Sequence, residues 1–493
     1  FDQVYNVFVD EVLPKAQGGK WGNQTKPNGD IIEFDTDMKL SDADFFFQSF
    51  CGAYYEKKNK YGPGIGFEDD IWLCAEEWNI GSMFTNGYSD TAETMGLASV
   101  VVDVANGIAY TAPALGQSGY EKIMPINSGH PDYVVIVCSG YNHGTEPAPL
   151  KVYIGRKGLD SKGATLGATS TARDKFLGRN GLLFGKLYGM SITKTELSTL
   201  LPSTTAMDQG TRMMDDYLKN ASASDTFKVK YFPTSFQWKG WGTSNAVAVK
   251  DTEVSKWISE SPSDSSYLFF NGDTKIEHPA VDPDITKFRY IQNMTDEGAL
   301  LAITFTNMVQ ELKSAGGGLP KSLSADCKRI IAAVDGDLTL DVGDKGLGFK
   351  GGDKNADGKA TAEKHIEKDV AKMVAPDGLM WIKSADADVL IVDEDSGNDY
   401  GERKYALVLD SDTLDLIEPN TGYFLAMAGG KYNPRSDNNA SAYGNTHAYA
   451  TSAEFSGSWN VSALIARKGD GSFYSISVLA GTGEQYINRS INI

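Results

Sequence analysis

The sequence predicts an all-β protein, a β-propeller of about six divergent blades with helical and loop insertions. Apolar segments of strand length recur at short intervals, turn residues lie between them, and strands do not alternate regularly with helices. This pattern disfavours a parallel doubly wound sheet and favours a sandwich pair or a propeller. The length of 493 residues favours the propeller, although no clean repeat marks the blades.

We expect one domain over residues 1–493 with a few additions to the strand scaffold. Residues 1–16 place apolar side chains at helical spacing and predict a short amphipathic helix. Further insertions are predicted near residues 203–222, 250–262 and 340–376, where helix-like patterns interrupt the strands. Long insertions on one face of a propeller often build the binding site.

Two Asn-Gly pairs predict tight hairpins in the strand pattern. Asn106-Gly107 lies between the apolar runs SVVVDV and IAYTA, and Asn271-Gly272 follows the run YLFF. Both residues of such a pair accept the positive φ angles that a two-residue turn requires. The sequence therefore predicts a chain reversal at each pair.

The charge of the chain limits its partners. The formal net charge is −19, from 65 acidic and 46 basic residues. An acidic surface repels nucleic-acid phosphates and anionic lipid headgroups, so we expect neither as a partner. No run of 18 apolar residues is present, and we expect no membrane span. The acidic surface suits cation binding and, equally, solubility.

Several features favour a secreted protein, extracellular or periplasmic. The chain begins with Phe1 rather than Met, which a removed signal peptide or a trimmed sequence would explain. The four cysteines allow two disulfides in three connectivities, or none. The glycosylation candidates are the Asn residues of the N-x-S/T sequons, Asn23, Asn220, Asn293, Asn439, Asn460 and Asn488.

The clearest candidate metal site is the segment VDEDSGNDYGERKY, which follows an apolar strand. It brings Asp393, Asp395, Asn398, Asp399 and Glu402 within ten residues. Calcium takes six to eight oxygen ligands in relaxed geometry, and the glycine in the segment lets the chain wrap around an ion. The alternative is an exposed acidic turn.

A second candidate calcium site is the segment DKNADGKATAEK. Asp353, Asn355 and Asp357 are followed by a glycine, as in the first half of an EF-hand loop. Lys364 occupies the place of the bidentate glutamate. A calcium loop closed by a carboxylate from elsewhere, or a polar surface loop, fits this pattern.

Two further places offer carboxylates next to strands. Glu76 and Glu77 follow the strand-like run IWLCA, and only one of them can point to a given face of a strand. Cys74 is a candidate soft ligand, a half-disulfide or a core thiol. Glu297 begins the apolar run GALLAITF and is a candidate ligand or a loop cap.

Several common catalytic motifs are absent from the sequence. It has no G-x-S-x-G elbow, no H-E-x-x-H and no P-loop, and its five histidines do not predict a His-rich zinc site. If the protein is an enzyme, carboxylates and metal ions must carry the chemistry. The sequence does not assign a catalytic residue.

Taken in order along the chain, five segments resemble the PhoX-type alkaline phosphatase family or a divergent relative of it. They are IWLCAEEW, PLKVYIGRKG with the later GKLYGM, NMTDEGAL, APDGLMWIK with VLIVDEDSGNDYGERKY, and EFSGSWNVSALI. The resemblance implies a secreted β-propeller with calcium ions and an iron pair, which hydrolyses phosphate monoesters. It implies that Glu76, Glu77, Asp393, Asp395 and Asn398 are metal ligands.

The sequence thus leaves two functional hypotheses open. One is an extracellular metal-dependent phosphoesterase with a phosphate-ester substrate, calcium and iron. The other is a non-enzymatic, calcium-stabilised surface, sheath or filament protein that associates with itself. Ala75 holds the place before Glu76 where the resembled family has a cysteine, and this change suits the second hypothesis.

Overall fold

The computed structural model describes part of the chain, and all structural statements below concern that part. The described residues are 20–25, 31–33, 52–75, 99–116, 120–140, 148–202, 213–220, 226–234, 261–272, 274–334, 373, 375–383, 387–395, 402–428, 457–458 and 460.

The described residues are mostly β. The strands are β1 (Lys20–Thr25), β2 (Ile31–Glu33), β3 (Ala53–Glu56), β4 (Ile71–Ala75), β5 (Ser99–Asp103), β6 (Ile108–Thr111), β7 (Tyr120–Ile126), β8 (Tyr133–Gly140), β9 (Lys151–Arg156), β10 (Phe184–Thr193), β11 (Thr226–Pro233), β12 (Tyr267–Phe269), β13 (Pro279–Val281), β14 (Arg289–Met294), β15 (Ala299–Phe305), β16 (Leu323–Ile330), β17 (Ala333–Val334), β18 (Pro376–Lys383), β19 (Asp388–Glu394), β20 (Glu402–Leu409) and β21 (Thr421–Ala428).

Four α-helices and two short 3-10 helices accompany these strands in the described ranges. The α-helices are α1 (Ala172–Arg179), α2 (Lys194–Leu200), α3 (Met213–Asn220) and α4 (Met308–Ser314), and the 3-10 helices are Pro113–Leu115 and Thr295–Glu297. Helices α1 and α2 each begin after a threonine whose hydroxyl accepts a hydrogen bond from a backbone N–H of the first turn. Such caps satisfy amide donors that have no partner inside the helix.

The largest sheet has ten strands in one nearly closed, barrel-like arrangement. Its order is β13-β14-β15-β16-β11-β10-β9-β8-β7, with β12 paired to β10. The two strands at the ends of this order, β7 and β13, lie against each other. We call this meeting of β7 and β13 the seam. Strand β8 is buried along its whole length, as its continuous apolar sequence YVVIVCSG requires.

Three smaller sheets complete the described β structure. One is the antiparallel meander β3-β4-β5-β6, one has the order β17-β21-β20-β19-β18, and one is the β1-β2 pair. The hairpin predicted at Asn106-Gly107 is confirmed, because it joins β5 to β6 and Gly107 has a φ of 65°. The reversal predicted at Asn271-Gly272 is wrong as a hairpin: β12 pairs with β10, and Gly272 bridges to Ala148.

The all-β class is confirmed, but the described residues do not form a six-bladed propeller. A propeller blade has four strands, whereas ten strands here share one sheet. The number of strand-like segments correctly predicted a high β content. It could not show where one sheet ends and the next begins. The helix predicted at 203–222 is present as α3, with Met213, Met214 and Tyr217 buried. The predicted helix at 1–16 and nearly all of 250–262 and 340–376 lie outside the described residues.

The chain divides into two compact units. The first comprises residues 1–221, 226–290 and 303–327, and the second comprises residues 222–225, 291–302 and 328–493. The core of the first unit includes Ile71, Leu73, Val101, Ile136 and Leu187. In the second unit, Leu390, Val392, Tyr405 and Leu407 are buried on β19 and β20.

Candidate metal centre

The first candidate ligand lies on the β7 side of the seam and owes its position to a β-bulge. Tyr120 pairs with Gly140 and Lys122 pairs with Ser139, so Glu121 is an extra residue in β7. A bulge interrupts the alternation of side chains between the two faces of a strand and redirects the side chain it contains. Tyr120 and Glu121 are accordingly both buried, although they are neighbours in sequence.

The second candidate ligand lies on the other side of the seam. His278 directly precedes β13, and its Nε2 is 3.6 Å from Oε1 of Glu121. Both side chains are buried. Burial lowers the pKa of His278 well below its ordinary value, and the positive charges of Lys122 and Lys275 lower it further. The imidazole is therefore neutral at pH 7, the form in which a ring nitrogen can bind a metal ion.

In the second unit, the buried Asp377 also lies at a strand irregularity. Pro376 pairs with Glu394 and Leu379 pairs with Val392, so the register of β18 shifts across Asp377. Asp377 is 1% exposed. The next residue must be glycine, because a Cβ on Gly378 would lie 2.6 Å from Oδ2 of Asp393.

Within the first unit, Glu121 and His278 could bind one metal ion, since they offer a carboxylate and an imidazole side by side. Imidazole suits zinc, iron and related transition metals, whereas calcium is bound almost entirely by oxygen.

The predicted acidic segment that begins at Asp393 forms ion pairs with basic side chains of the chain. Asp393 pairs directly with Lys404 across β19 and β20, and the two buried side chains form an ion pair. Ser458 hydrogen-bonds to both members of this pair. Next to it, the buried carboxylate of Glu394 forms an ion pair with Arg403. The charge of Asp393 is therefore offset within the chain.

The rest of that predicted loop is described only in part. Asp395 is half-buried, and its N–H donates to the carbonyl of Ala375 at 2.9 Å. Glu402 begins β20, and Asn398 and Asp399 lie outside the described residues.

The remaining predicted ligands are scattered. Glu297 is half-buried at the end of the 3-10 helix Thr295–Glu297. The pair Glu76 and Glu77 and the loop residues Asp353, Asn355 and Asp357 lie outside the described residues. Among the described cysteines, Cys74, Cys138 and Cys327 are buried.

The sequons differ in accessibility. Asn293 is fully buried and its side-chain amide donates to the backbone oxygen of Asp377. Asn460 is exposed. Asn23 lies in β1 and Asn220 ends α3, whereas Asn439 and Asn488 are outside the described residues.

Sequence reasoning did not find the pair of candidate ligands Glu121 and His278. Two weak signals were present: an acidic residue inside the apolar strand YEKIMPI, and a histidine directly before a proline and a strand. Neither signal shows that the two residues meet, because they are far apart in the chain and a bulge redirects one of them.

Comparison with known proteins does not identify the chain. No family model matches it, and no curated protein matches it. The resemblance to the PhoX-type family therefore stays a prediction. None of the helices in the described part of the chain is long and apolar enough to cross a membrane.

Proposed function

We propose that this protein binds a divalent transition-metal ion through Glu121 and His278. The observation that carries the proposal is the buried approach of Nε2 of His278 to Oε1 of Glu121, at 3.6 Å. The neutral imidazole of His278 supplies a nitrogen ligand for such an ion.

The ligand chemistry favours zinc, manganese or iron over calcium. Zinc binds histidine nitrogen and carboxylate oxygen in sites of four ligands, and manganese and iron accept the same donor types. Calcium prefers six to eight oxygens, more than this cluster offers. Calcium binding by the loop from Asp393 to Glu402 is a separate part of the proposal, and it rests on the sequence pattern alone.

The burial of both residues favours a structural role for the ion. Glu121 and His278 are 3% and 5% exposed. An ion enclosed in this way would stabilise the folded state, since ligands that converge only in the folded chain bind metal only there. This role agrees with the non-enzymatic hypothesis in being structural, but it replaces the calcium of that hypothesis by a transition metal.

Metal titration tests the proposal. Chelator-treated protein is titrated separately with zinc, manganese and calcium by isothermal calorimetry. We expect stoichiometric binding of zinc or manganese, and we expect His278→Gln to weaken it by about tenfold or more. His130→Gln is the matched control, because His130 lies at a half-buried turn and hydrogen-bonds locally. Absence of binding by the unaltered protein, or equal binding by His278→Gln, would overturn the proposal.

A second candidate function is hydrolysis of phosphate monoesters by a secreted enzyme. It is favoured by one specific observation: the segment APDGLMWIK resembles part of the PhoX-type pattern. A metal ion with an open coordination position can also bind water, as in catalytic zinc sites. A bound metal would supply a Lewis acid for the phosphoryl oxygen. The iron pair, the propeller and the extracellular location belong to this proposal.

A simple assay separates the two functions. The protein is loaded with zinc, manganese, or iron plus calcium and is incubated with p-nitrophenyl phosphate. Turnover that His278→Gln abolishes and His130→Gln retains would support the enzyme. Tight metal binding without turnover under any loading would leave the structural role.

A further inference from the structure

The β-bulge that contains Glu121 needs contacts beyond its own strand ladder. Strand β8 pairs with the residues on either side of Glu121, but not with Glu121 itself. An extra residue in a strand is left unpaired and bends the strand locally. Pairing with β8 therefore does not define the position of the Glu121 side chain, and other contacts must do so.

One such contact comes from Gly52, a buried residue that directly precedes β3. Its backbone lies so close to the bulge that a Cβ built on it would overlap the carbonyl oxygen of Glu121. The same Cβ would lie 2.9 Å from Cβ of Lys122, which is closer than two such atoms approach each other. Glycine permits this close approach of two backbones, so residue 52 must lack a side chain.

A second contact anchors the residue before Glu121. The hydroxyl of Tyr120 donates to the backbone oxygen of Leu115 at 2.8 Å, and Tyr120 is 2% exposed. A buried polar group without a partner is unfavourable, so burial favours the one position of Tyr120 in which this hydrogen bond forms. Tyr120 is thus held through its side chain, whereas Gly52 contacts the backbone of Glu121 itself.

The other candidate ligand is constrained by its neighbour in sequence. His278 directly precedes Pro279, and a proline restricts the residue before it to extended conformations. Glu121 has no such neighbour, because Lys122 follows it. Since Oε1 of Glu121 lies 3.6 Å from Nε2 of His278, a displacement of the bulge would change the separation of the two ligand atoms.

We infer that Gly52 and Tyr120 are positioning residues for Glu121. The inference rests on the proposed metal site of Glu121 and His278, and all four residues belong to the first compact unit. A side chain at residue 52 would push the bulge aside and move the carboxylate relative to the imidazole. Groups that orient a metal ligand typically change metal affinity by about 10–100-fold when they are altered.

Zinc affinity of three glycine variants tests the inference. Gly52→Ala introduces the overlap with the bulge. Gly155→Ala is the matched control, because its Cβ would overlap the carbonyl oxygen of Gly181 in the same way. Gly155 pairs with Val134, near the other end of β8. Gly167→Ala is a control in open space, since no described atom beyond its chain neighbours lies within 4 Å of the added Cβ.

The three variants have different expected results. Gly52→Ala should weaken zinc binding by about tenfold or more, because it displaces a ligand. Gly155→Ala should unfold at a lower urea concentration but bind zinc as the unaltered protein does while it is folded. Gly167→Ala should change neither property. Unchanged zinc affinity in Gly52→Ala, or an equal loss in Gly155→Ala, would overturn the inference.

A milder pair of variants serves if the alanine variants do not fold. Tyr120→Phe and Tyr153→Phe each remove a buried hydroxyl that donates to a backbone oxygen, at 2.8 Å and 2.9 Å respectively. Only the first of these hydroxyls belongs to a neighbour of Glu121. We therefore expect Tyr120→Phe to weaken zinc binding and Tyr153→Phe to leave it unchanged. Equal zinc affinities of the two variants would overturn the inference.

The outcomes also separate this inference from the proposed function. If the unaltered protein binds neither zinc nor manganese, the metal site itself is wrong and the positioning role fails with it. If the unaltered protein binds zinc, and Gly52→Ala and Tyr120→Phe bind it equally well, only the positioning role is wrong.

Discussion

Buried carboxylates occur in two settings in this molecule, and the difference lies in what each one faces. Asp393 faces Lys404, a cation that belongs to the chain. Glu121 faces His278, an imidazole whose pKa is lowered by burial and by two nearby lysines, so that it is neutral. The first carboxylate is paired with a lysine of the chain, whereas the second lies beside a neutral imidazole, a group that can bind a metal ion.

The comparison shows why an acidic pattern alone is a poor guide to metal sites. The segment around Asp393 is rich in acidic residues, yet its first carboxylate is paired with a lysine across β19 and β20. Glu121 lies in no dense acidic run, yet it meets a buried imidazole.

Breaking the buried ion pair between Asp393 and Lys404 should cause the largest loss of stability. Lys404→Met would leave the carboxylate of Asp393 buried without its cation, and Arg403 is already paired with Glu394. Removing one partner of a buried ion pair typically costs about 3–5 kcal/mol of unfolding free energy. Urea unfolding at pH 7 measures this loss.

A double variant gives the control for that experiment. In Lys404→Met/Asp393→Asn no charge is left unpaired, so we expect most of the lost stability to return. Failure of the second substitution to restore stability would show that the pair is not the source of the loss. Lys313→Met, at a lysine in the last turn of α4, should change stability little.

The next largest effect is the stabilisation of the folded state by a bound metal ion. Zinc at about 100 times its dissociation constant should raise the unfolding free energy by about 2.7 kcal/mol, since it binds only the folded chain. Glu121→Gln should reduce this increment, because an amide is a poorer ligand than a carboxylate. Thermal or urea unfolding with and without metal measures it. An equal increment in Glu121→Gln would show that the carboxylate of Glu121 does not bind the ion.

The smallest expected effect is the pH dependence of stability that a third buried carboxylate, Glu56, contributes. Its pKa is raised because burial outweighs the ion pair with Lys60, which has a length of 3.0 Å. The unfolded chain therefore loses this proton at a lower pH than the folded chain does. Between the two pKa values stability should fall as the pH rises, by at most about 1.4 kcal/mol per pH unit.

The pH dependence is measured as the difference between the unaltered protein and Glu56→Gln. The glutamine does not titrate, so the variant should lack this fall while the rest of the pH profile is retained. Urea unfolding from pH 4 upward gives the two curves. Parallel curves would mean that Glu56 has the same pKa in both states.

Local features of the fold could be predicted from the sequence, and distant pairings could not. The Asn106-Gly107 hairpin and helix α3 depend on neighbouring residues, so both were found. The sheet arrangement was not predicted, because a count of strands does not show which strands pair with each other. Lys404 is close to Asp393 in sequence, but its role depends on the register of β19 and β20. Glu121 and His278 meet only because the ten-stranded sheet nearly closes.

The seam between β7 and β13 also has a consequence for how the chain folds. Glu121 and His278 are roughly 160 residues apart in sequence, so bringing them together requires closure of a very long loop. Contacts of such separation form slowly and usually late. We therefore expect the sheet to assemble before its ends meet, and a metal ion bound at Glu121 and His278 should slow unfolding more than it accelerates folding.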